Sequence, residues 1–299
     1  MANILVTGGT GFIGSNLAQR LVADGHDVVI TGTQTENRTK ATILEPGLQG
    51  IDWKKLQRID VLFHQAANND TTCVDRDAMM HANLHASKTL FQHCLDIGCR
   101  HFVFASSTAV YGDAPAPYLE EKTPLKPLNV YGESKVRLEE FALRFAEQHE
   151  VDTVGLRYCN VYGPGETHKG KRASMIFQMA QARRQGRPIR LFKWGEQRRD
   201  FIFVEDVVEA NLAAWAKKPI RDVYNCGSGS CESFADLARL VQQGLGLEVL
   251  TPEWIENPHA DFYQTHTQCD MTKARDSLGF VPKFTIAQGV ERFMKSLSE

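Results

Sequence analysis

After a short apolar run, Asn3 to Thr7, the chain reads Val6-Thr7-Gly8-Gly9-Thr10-Gly11-Phe12-Ile13-Gly14 and then continues to Val22 with apolar residues at helical spacing. A strand, a glycine triplet at GxxGxxG spacing and a helix form a turn whose backbone amides are open to an anion. Glycine allows the tight turn and the close approach, and the positive end of the helix dipole favours negative charge. With the strand-like run Val28 to Ile30 this is a β-α-β opening, and Gly8, Gly11, Phe12, Ile13 and Gly14 are candidate contacts to a dinucleotide pyrophosphate. The triplet also suits a turn that only packs a helix on a strand.

The alternation continues. Val61 to His64, His101 to Ala105 and Val151 to Tyr158 are strand-like, with helical stretches at about Asp77 to Ile97 and Tyr131 to Gln148 between them. That order predicts an α/β fold, a doubly wound parallel (Rossmann) sheet. Thr31 to Leu56 is polar and weakly periodic, so the second crossover helix is expected to be short or irregular. Beyond Gly163 the pattern changes to a helix over Ala173 to Gln185, a run from Ile189 to Phe192 and a mixed region from about Val223. We expect a dinucleotide-binding domain over 1–163 with a return segment at about 200–222, and a smaller C-terminal α/β substrate module over 164–199 and 223–299.

Within 299 residues, 42% are hydrophobic, the formal net charge is -2, and basic residues are spread along the chain. Nothing there has the basic patch of a nucleic-acid binder. No apolar run approaches the roughly 18 residues of a membrane span, and the first residues already enter a strand, so a cytoplasmic protein without a membrane partner is expected. Seven cysteines, an odd number without a CxxC pair, read as reduced thiols. His81 and His85 stand one helical turn apart, a zinc-compatible spacing, but no HExxH or evident third ligand accompanies them, so no metal is expected.

A NAD site usually carries an acid at the end of the second strand, about 20 residues past the glycines, to bond the ribose hydroxyls. Here the stretch is Ile30-Thr31-Gly32-Thr33-Gln34. A 2′-phosphate would meet no repulsion there, and Arg38 or Lys40 is placed to pair with it unless both are solvated loop charges. The cofactor expected is NADP or NAD, with NADP favoured.

Tyr131-Gly-Glu-Ser-Lys135 sets a phenol and an ammonium one turn apart on a helix, and Ser106-Ser107 ends the strand that begins at His101. Lowering a tyrosine pKa from about 10 to about 7 takes roughly 4 kcal/mol. An ammonium about 4 Å away at an effective dielectric of 20 supplies about that much. Tyr131 is then a candidate acid/base near neutral pH, with Ser107 bonding the same substrate oxygen.

Four ordered motifs, TGGTGFIG, Phe104-Ala-Ser-Ser-Thr-Ala-Val-Tyr111-Gly, Asn129-Val-Tyr131-Gly-Glu-Ser-Lys135 and Leu156-Arg-Tyr-Cys-Asn160-Val-Tyr162-Gly-Pro164, resemble the extended short-chain dehydrogenase/reductase family. The resemblance implies Ser107, Tyr131 and Lys135 as the catalytic triad, Lys135 also binding the cofactor. It implies Ala66, Ala67, Asn83 and Val161 as cofactor-pocket positions, Asn160 as sugar-facing, and a homo-oligomer. His168-Lys169-Gly170 followed by Ala173-Ser174, the run Arg199-Asp200-Phe201-Ile-Phe-Val204-Glu-Asp206-Val207, and Tyr263-Gln264 with Thr267-Gln268-Cys-Asp270 are similar to the ADP-glycero-manno-heptose 6-epimerases of that family. By that similarity the chain is an NAD(P)-dependent epimerase of a nucleotide-diphosphate sugar, working through a keto intermediate.

Lys169 is then a second acid/base acting on the opposite face of the sugar carbon, unless it pairs with a phosphate or stands exposed. Arg199 is a clamp for the diphosphate or a partner of Asp200 or Glu205. Gln178, Phe192 and Tyr263 are weaker substrate-binding candidates. Gln178 stands where those epimerases tend to carry histidine, and Lys171-Arg172 is more charged than usual. A 4-epimerase of a UDP-, GDP- or TDP-sugar is therefore the alternative. The 4,6-dehydratases of the family carry Asp-Glu where this chain has Thr108-Ala109, which argues against dehydration. A cofactor-sensing protein that has lost the chemistry is the remaining alternative, against which the intact triad argues.

Overall fold

The computed structural model describes residues 1–33, 37–44, 50–257 and 265–297. Its centre is a seven-stranded sheet made of β1 (Asn3–Thr7), β2 (Asp27–Thr31), β3 (Thr42–Leu44), β4 (Val61–His64), β5 (His101–Ser107), β6 (Asp152–Tyr158) and, after the short strands β7 (Asn160–Tyr162), β8 (Arg190–Phe192), β9 (Arg198–Arg199) and β10 (Phe201–Phe203), the edge strand β11 (Arg221–Cys226). The spatial order is β3-β2-β1-β4-β5-β6-β11 and every pairing is parallel. The inner strands are mostly apolar because helices cover both faces of the sheet, with polar residues such as Thr7, His64 and Ser107 at their carboxyl ends.

On one face, α1 (Phe12–Ala23) and α6 (Val204–Ala216) bury Leu17, Leu21, Val207 and Ala210 against Ile4, Val6 and Phe63. On the other, α3 (Ala86–Asp96) and α4 (Val130–His149) bury Leu90, Phe91, Leu138 and Phe145 against Leu5, Phe102 and Phe104, with α2 (Arg76–Met80) preceding α3. Asn129 caps α4, its side-chain oxygen accepting from Gly132 N at 2.8 Å. This satisfies one of the amides that a helix start leaves unpaired.

The single helix expected over Asp77 to Ile97 is interrupted. Between α2 and α3 lies a π-helical turn, His81–His85. Apolar periodicity carries across such a widened turn, so the sequence pattern does not reveal it. Where the second crossover helix was expected to be short or irregular, the described residues of 31–56 hold β3 and one 3-10 turn, Trp53–Lys55, and no α-helix. The rings of His81 and His85 are stacked at 28° with centroids 6.3 Å apart, and among the described residues no third metal-ligating group converges on them.

A second core lies beside the sheet. Ile176, Phe177 and Ala180 of α5 (Met175–Arg184), Leu237 and Val241 of α7 (Phe234–Gly244), and Val290, Phe293 and Met294 of α8 (Ile286–Ser296) pack on Tyr162, Phe201 and Phe203. Since β7 and β10 pair in parallel, this core is attached to the strand that leaves the main sheet at Tyr158. Among the described residues no helix is long and apolar enough to cross a membrane.

Candidate active site

The strand order reverses between β1 and β4, and doubly wound sheets hold their ligands outside the carboxyl ends of strands at such a point. Thr7 and His64 are register partners there. Thr7 Oγ1 lies 2.7 Å from His64 Nδ1, and His64 Nε2 lies 2.7 Å from Ser87 Oγ, whose own proton goes to the Asn83 carbonyl. Ser87 must therefore accept from Nε2, leaving Nδ1 to accept from Thr7, and that assigns the tautomer. Burial holds the imidazole pKa down to about 3, so the ring is neutral and works as a pin between β1, β4 and α3. Thr7 Oγ1 in turn accepts from Ala66 N at 3.2 Å, fixing the loop after β4.

Three glycines are demanded by contact. Gly8 has φ +67°, and a Cβ there would stand 2.9 Å from Ala66 N; a Cβ on Gly14 would lie 2.2 Å from the Gly8 carbonyl, and one on Gly32 would lie 1.8 Å from Thr10 Oγ1. Gly11 is the N-cap of α1 and offers no side-chain cap to the first turn. Beside this cradle is a cavity of about 540 Å³ lined by Gly8, Gly11, Phe12, Ile13 and Gly14, by Thr31 to Thr33, by Gln65 to Asn69, and by His168, Lys169 and Arg172. A groove that only glycine can shape, leading to uncapped helix amides at a sheet switch point, fits a dinucleotide.

The expected triad is brought together by β5 and α4. Ser107 is hydrogen-bonded to the Tyr131 phenol. Lys135 Nζ donates to the Ala105 carbonyl at 2.8 Å and stands 5.7 Å from the centre of the Tyr131 ring. The electrostatics differ from the simple expectation. Burial pushes the phenol pKa of Tyr131 up, opposed only by the Ser107 hydrogen bond. Burial also pulls Lys135 down to about 8. Desolvation therefore outweighs the ammonium, which is aimed at a backbone carbonyl rather than at the phenol oxygen.

Of the expected cofactor positions, Ala66 and Ala67 line the cavity. Asn83 is fully buried and acts from behind: Oδ1 accepts from Asn68 N at 2.7 Å, and Nδ2 donates to the Asn68 carbonyl and to Ser134 Oγ, both at 2.9 Å. Its place in the π-helical turn turns it toward α4. Val161 is half-buried on β7. Arg38 reaches across α1 to the Gly165 carbonyl at 3.2 Å and to His168 at 3.5 Å. Lys169 stands over the Phe12 ring at 4.9 Å, with Glu166 Oε2 3.7 Å away, on the glycine-loop side of the cavity.

The expected substrate positions are more scattered. Asn160 is exposed, its amide donating to the Asp200 carbonyl at 2.8 Å. Gln178 donates to the Ala173 carbonyl at 2.8 Å, and Phe192 is half-buried on β8. Arg199 is buried, donates to the Arg198 carbonyl at 2.9 Å and lies 5.8 Å from the Phe234 ring centre. Tyr263 lies outside the described residues. Groups the sequence reading missed include Glu139 and Arg157, a buried ion pair behind Lys135 at 2.7 Å, and Tyr111, whose hydroxyl accepts from Arg157 and donates to Asn225. Glu139 is one further turn along the face of Tyr131 and Lys135, a spacing that was available as a signal. Cys159, Cys269 and Asp200 also converge, with the two sulfurs 2.8 Å apart and buried.

A doubly wound sheet with a glycine cradle and a serine, tyrosine and lysine beside it defines a dinucleotide-dependent enzyme. The family model described as the NAD dependent epimerase/dehydratase family matches residues 4–227, and the chain belongs to that family. It is similar over 99% of its length to the ADP-L-glycero-D-manno-heptose-6-epimerase of Helicobacter pylori, at 31% identity, 96% of that chain and a TM-score of 0.89. It is likewise similar over 99% to the UDP-N-acetylglucosamine 4-epimerase of Methanobrevibacter ruminantium, at 26% identity, 98% of that chain and 0.90. The UDP-glucose 4-epimerase of Thermotoga maritima matches at 27% identity, 99% and 98% coverage and 0.88.

The cradle makes a direct prediction. Gly14→Ala forces a Cβ against the Gly8 carbonyl and should weaken NAD binding at least about tenfold, roughly 1.4 kcal/mol, in a fluorescence titration. Unchanged affinity would mean that the dinucleotide lies elsewhere.

Proposed function

We propose that the chain is an epimerase of nucleotide-diphosphate sugars, nearest in character to an ADP-heptose 6-epimerase. The observation that carries this reading is the meeting of Ser107, Tyr131 and Lys135 at the carboxyl end of β5, two strands from β1 and the glycine cradle that follows it. Support for the heptose substrate comes from His168-Lys169-Gly170, from the Arg199 to Val204 run, and from similarity to the Helicobacter enzyme. The second reading, a UDP-sugar 4-epimerase, is favoured by the equally high structural likeness to two such enzymes and by Gln178 and Lys171-Arg172.

The residues fit NAD or NADP: Gly8, Gly11, Phe12, Ile13, Gly14, Ala66 and Ala67 line the cavity, and Lys135 would hold the nicotinamide ribose. When bound, the oxidised nicotinamide supplies hydride acceptance and a positive ring. Tyr131 takes the proton of the reacting sugar hydroxyl and returns it, and Ser107 holds that oxygen. Because burial favours the phenol of Tyr131, the phenolate needs positive charge beyond that of Lys135. The module of α5, α7 and α8 holds the nucleotide sugar, with Asn160 at its inner edge and Arg199 toward the diphosphate.

To invert a carbon, hydride must return to the other face of the keto intermediate, so the sugar presents its oxygen differently in the two half-reactions; Lys169 is the acid/base that gives or takes the proton at that oxygen in the second. It packs on Phe12 and lines the cavity that also borders the loop after β4. Lys169→Met should abolish epimerisation while nucleotide-sugar affinity stays within several-fold. Retained turnover with weakened NAD(P) affinity would make Lys169 a cofactor ligand instead.

NADP is the favoured cofactor, since Thr31-Gly32-Thr33 brings no carboxylate to the cavity and Arg172 lines it, with Arg38 bonded to His168 of the same wall. Parallel titrations should give the smaller Kd for NADP; much tighter NAD binding ends this preference. The reaction itself is tested by incubating ADP-, UDP-, GDP- and TDP-sugars and following inversion by NMR in deuterated water. Tyr131→Phe should lower kcat by about 10² to 10⁴ with cofactor still bound. An unchanged rate would remove the phenol from the chemistry.

A further inference from the structure

Three consecutive residues of β5 meet three residues of α4 spaced one turn apart. The Ala105 carbonyl accepts from Lys135 Nζ, Ser106 Oγ donates to Glu139 Oε1, and Ser107 bonds Tyr131. Tyr131, Lys135 and Glu139 thus form one stripe on the helix, at i, i+4 and i+8, docked in register on the strand end. The last member has no part in the chemistry described above, yet it is the most firmly held. Both Glu139 oxygens take guanidinium bonds, from Arg157 Nε at 2.9 Å and Nη2 at 2.7 Å, and the two side chains are 4% and 3% exposed. A carboxylate buried beside an ammonium that is itself 2% exposed is an uncommon arrangement, since each charge loses its hydration.

The geometry points to Glu139 as a positioning residue for Lys135: its clamped carboxylate keeps the buried ammonium charged and aimed at the end of β5, where Tyr131 reacts. The inference rests on the epimerase reading for its catalytic consequence, but not for its physical content. Desolvation pulls the Lys135 pKa down to about 8, and Glu139 opposes that loss. The other groups facing the stripe do not replace it. His64 from β4 is neutral, and Tyr111, from the turn after β5, is pushed up out of the titrating range by burial. Arg157 from β6 is a cation whose charge Glu139 neutralises at short range. Without the carboxylate, Lys135 sheds its proton nearer neutrality, and the positive charge that Tyr131 needs goes with it.

The test separates this inference from the proposed activity by reading the lysine directly. Protein selectively labelled with 13C in its lysine side chains is titrated by NMR, the Lys135 signal being the one absent from Lys135→Met. Alongside, kcat/KM is measured against pH on the sugar that the wild-type protein epimerises. In Glu139→Gln the Lys135 midpoint should fall by about one pH unit or more. The alkaline limb of kcat/KM should move by the same amount, and KM should change less than kcat. Glu139→Asp, which keeps the charge, should restore most of both.

Because Glu139→Gln leaves Arg157 buried and unpaired, it can fail to fold. The double variant with Arg157→Met removes both charges and is decisive in that case. A downward shift that persists in the double variant supports the proposal. A Lys135 midpoint equal to that of the wild type in a folded Glu139→Gln, or one in the double variant no lower than in Arg157→Met alone, overturns it. A shifted midpoint in a protein that inverts no sugar supports the role of Glu139 and overturns the epimerase reading.

Discussion

The ion pair between Glu139 and Arg157 joins the helix that carries Tyr131 and Lys135 to the strand that leads on to Asn160, and the rest of the site is arranged around that joint. Removing one partner of such a buried pair typically costs 3–5 kcal/mol, whereas hydrophobic replacement of both is often neutral. Stability alone therefore does not account for its presence. What the pair adds is direction. Arg157 Nη1 bonds Tyr111 at 2.8 Å, Tyr111 bonds Asn225 at 2.7 Å, and Asn225 Nδ2 donates to the Tyr118 and Asp270 carbonyls. One polar chain thus runs from α4 through β6 and β11 to the segment at 265–270, fixing the reactive helix against the elements that border the second core.

The same low dielectric shapes both charge states at the reactive end. Desolvation moves an acid up and a base down, so burying Tyr131 and Lys135 together favours the neutral pair, phenol and amine. A proton-relaying tyrosine needs the reverse. Ser107 at the end of β5 and Glu139 on α4 supply part of the correction, one favouring the charged form of the phenol and the other opposing loss of the Lys135 proton. Local positive charge at the moment of reaction must supply the remainder, which places strict demands on what lies against the phenol.

Much of the sheet was legible in the sequence because each inner strand is an apolar run bounded by turn residues, and because GxxGxxG between a strand and a helix has few other uses. The π-helical turn at His81–His85 was not, since its widened register leaves the apolar spacing intact. The triad residues and the lining alanines could be placed from motifs tied to strand ends. Lys169, which its motif singled out, packs on Phe12 at the wall of the cavity. A residue on a turn with Gly170 at φ +54° is positioned by tertiary contacts that no local pattern encodes. Asn83 illustrates a subtler gap: the position was found, but its side chain braces Asn68 from behind, and a motif says nothing about which side of a loop is supported.

Asp200 shows how the second core is kept in register with the sheet. Its motif drew attention to the neighbouring Arg199, yet the carboxylate of Asp200 is the busier group. Oδ1 accepts from Ser228 N and Oγ, both at 2.7 Å, while Oδ2 accepts from Gly229 N and Cys269 N at 3.1 Å. Its backbone carbonyl takes the Asn160 amide. A buried carboxylate satisfied by four donors has no need of a metal, although Cys159 and Cys269 bring two sulfurs within reach of it. Burial raises both thiols, Cys269 to about 11, so they remain protonated and pack as small apolar groups. The acid is better understood as a knot tying β10, the turn after β11 and the segment through Cys269 to the strand end that bears Asn160. Any ligand held by Asn160 and the second core is thereby referred to the same sheet that fixes Tyr131.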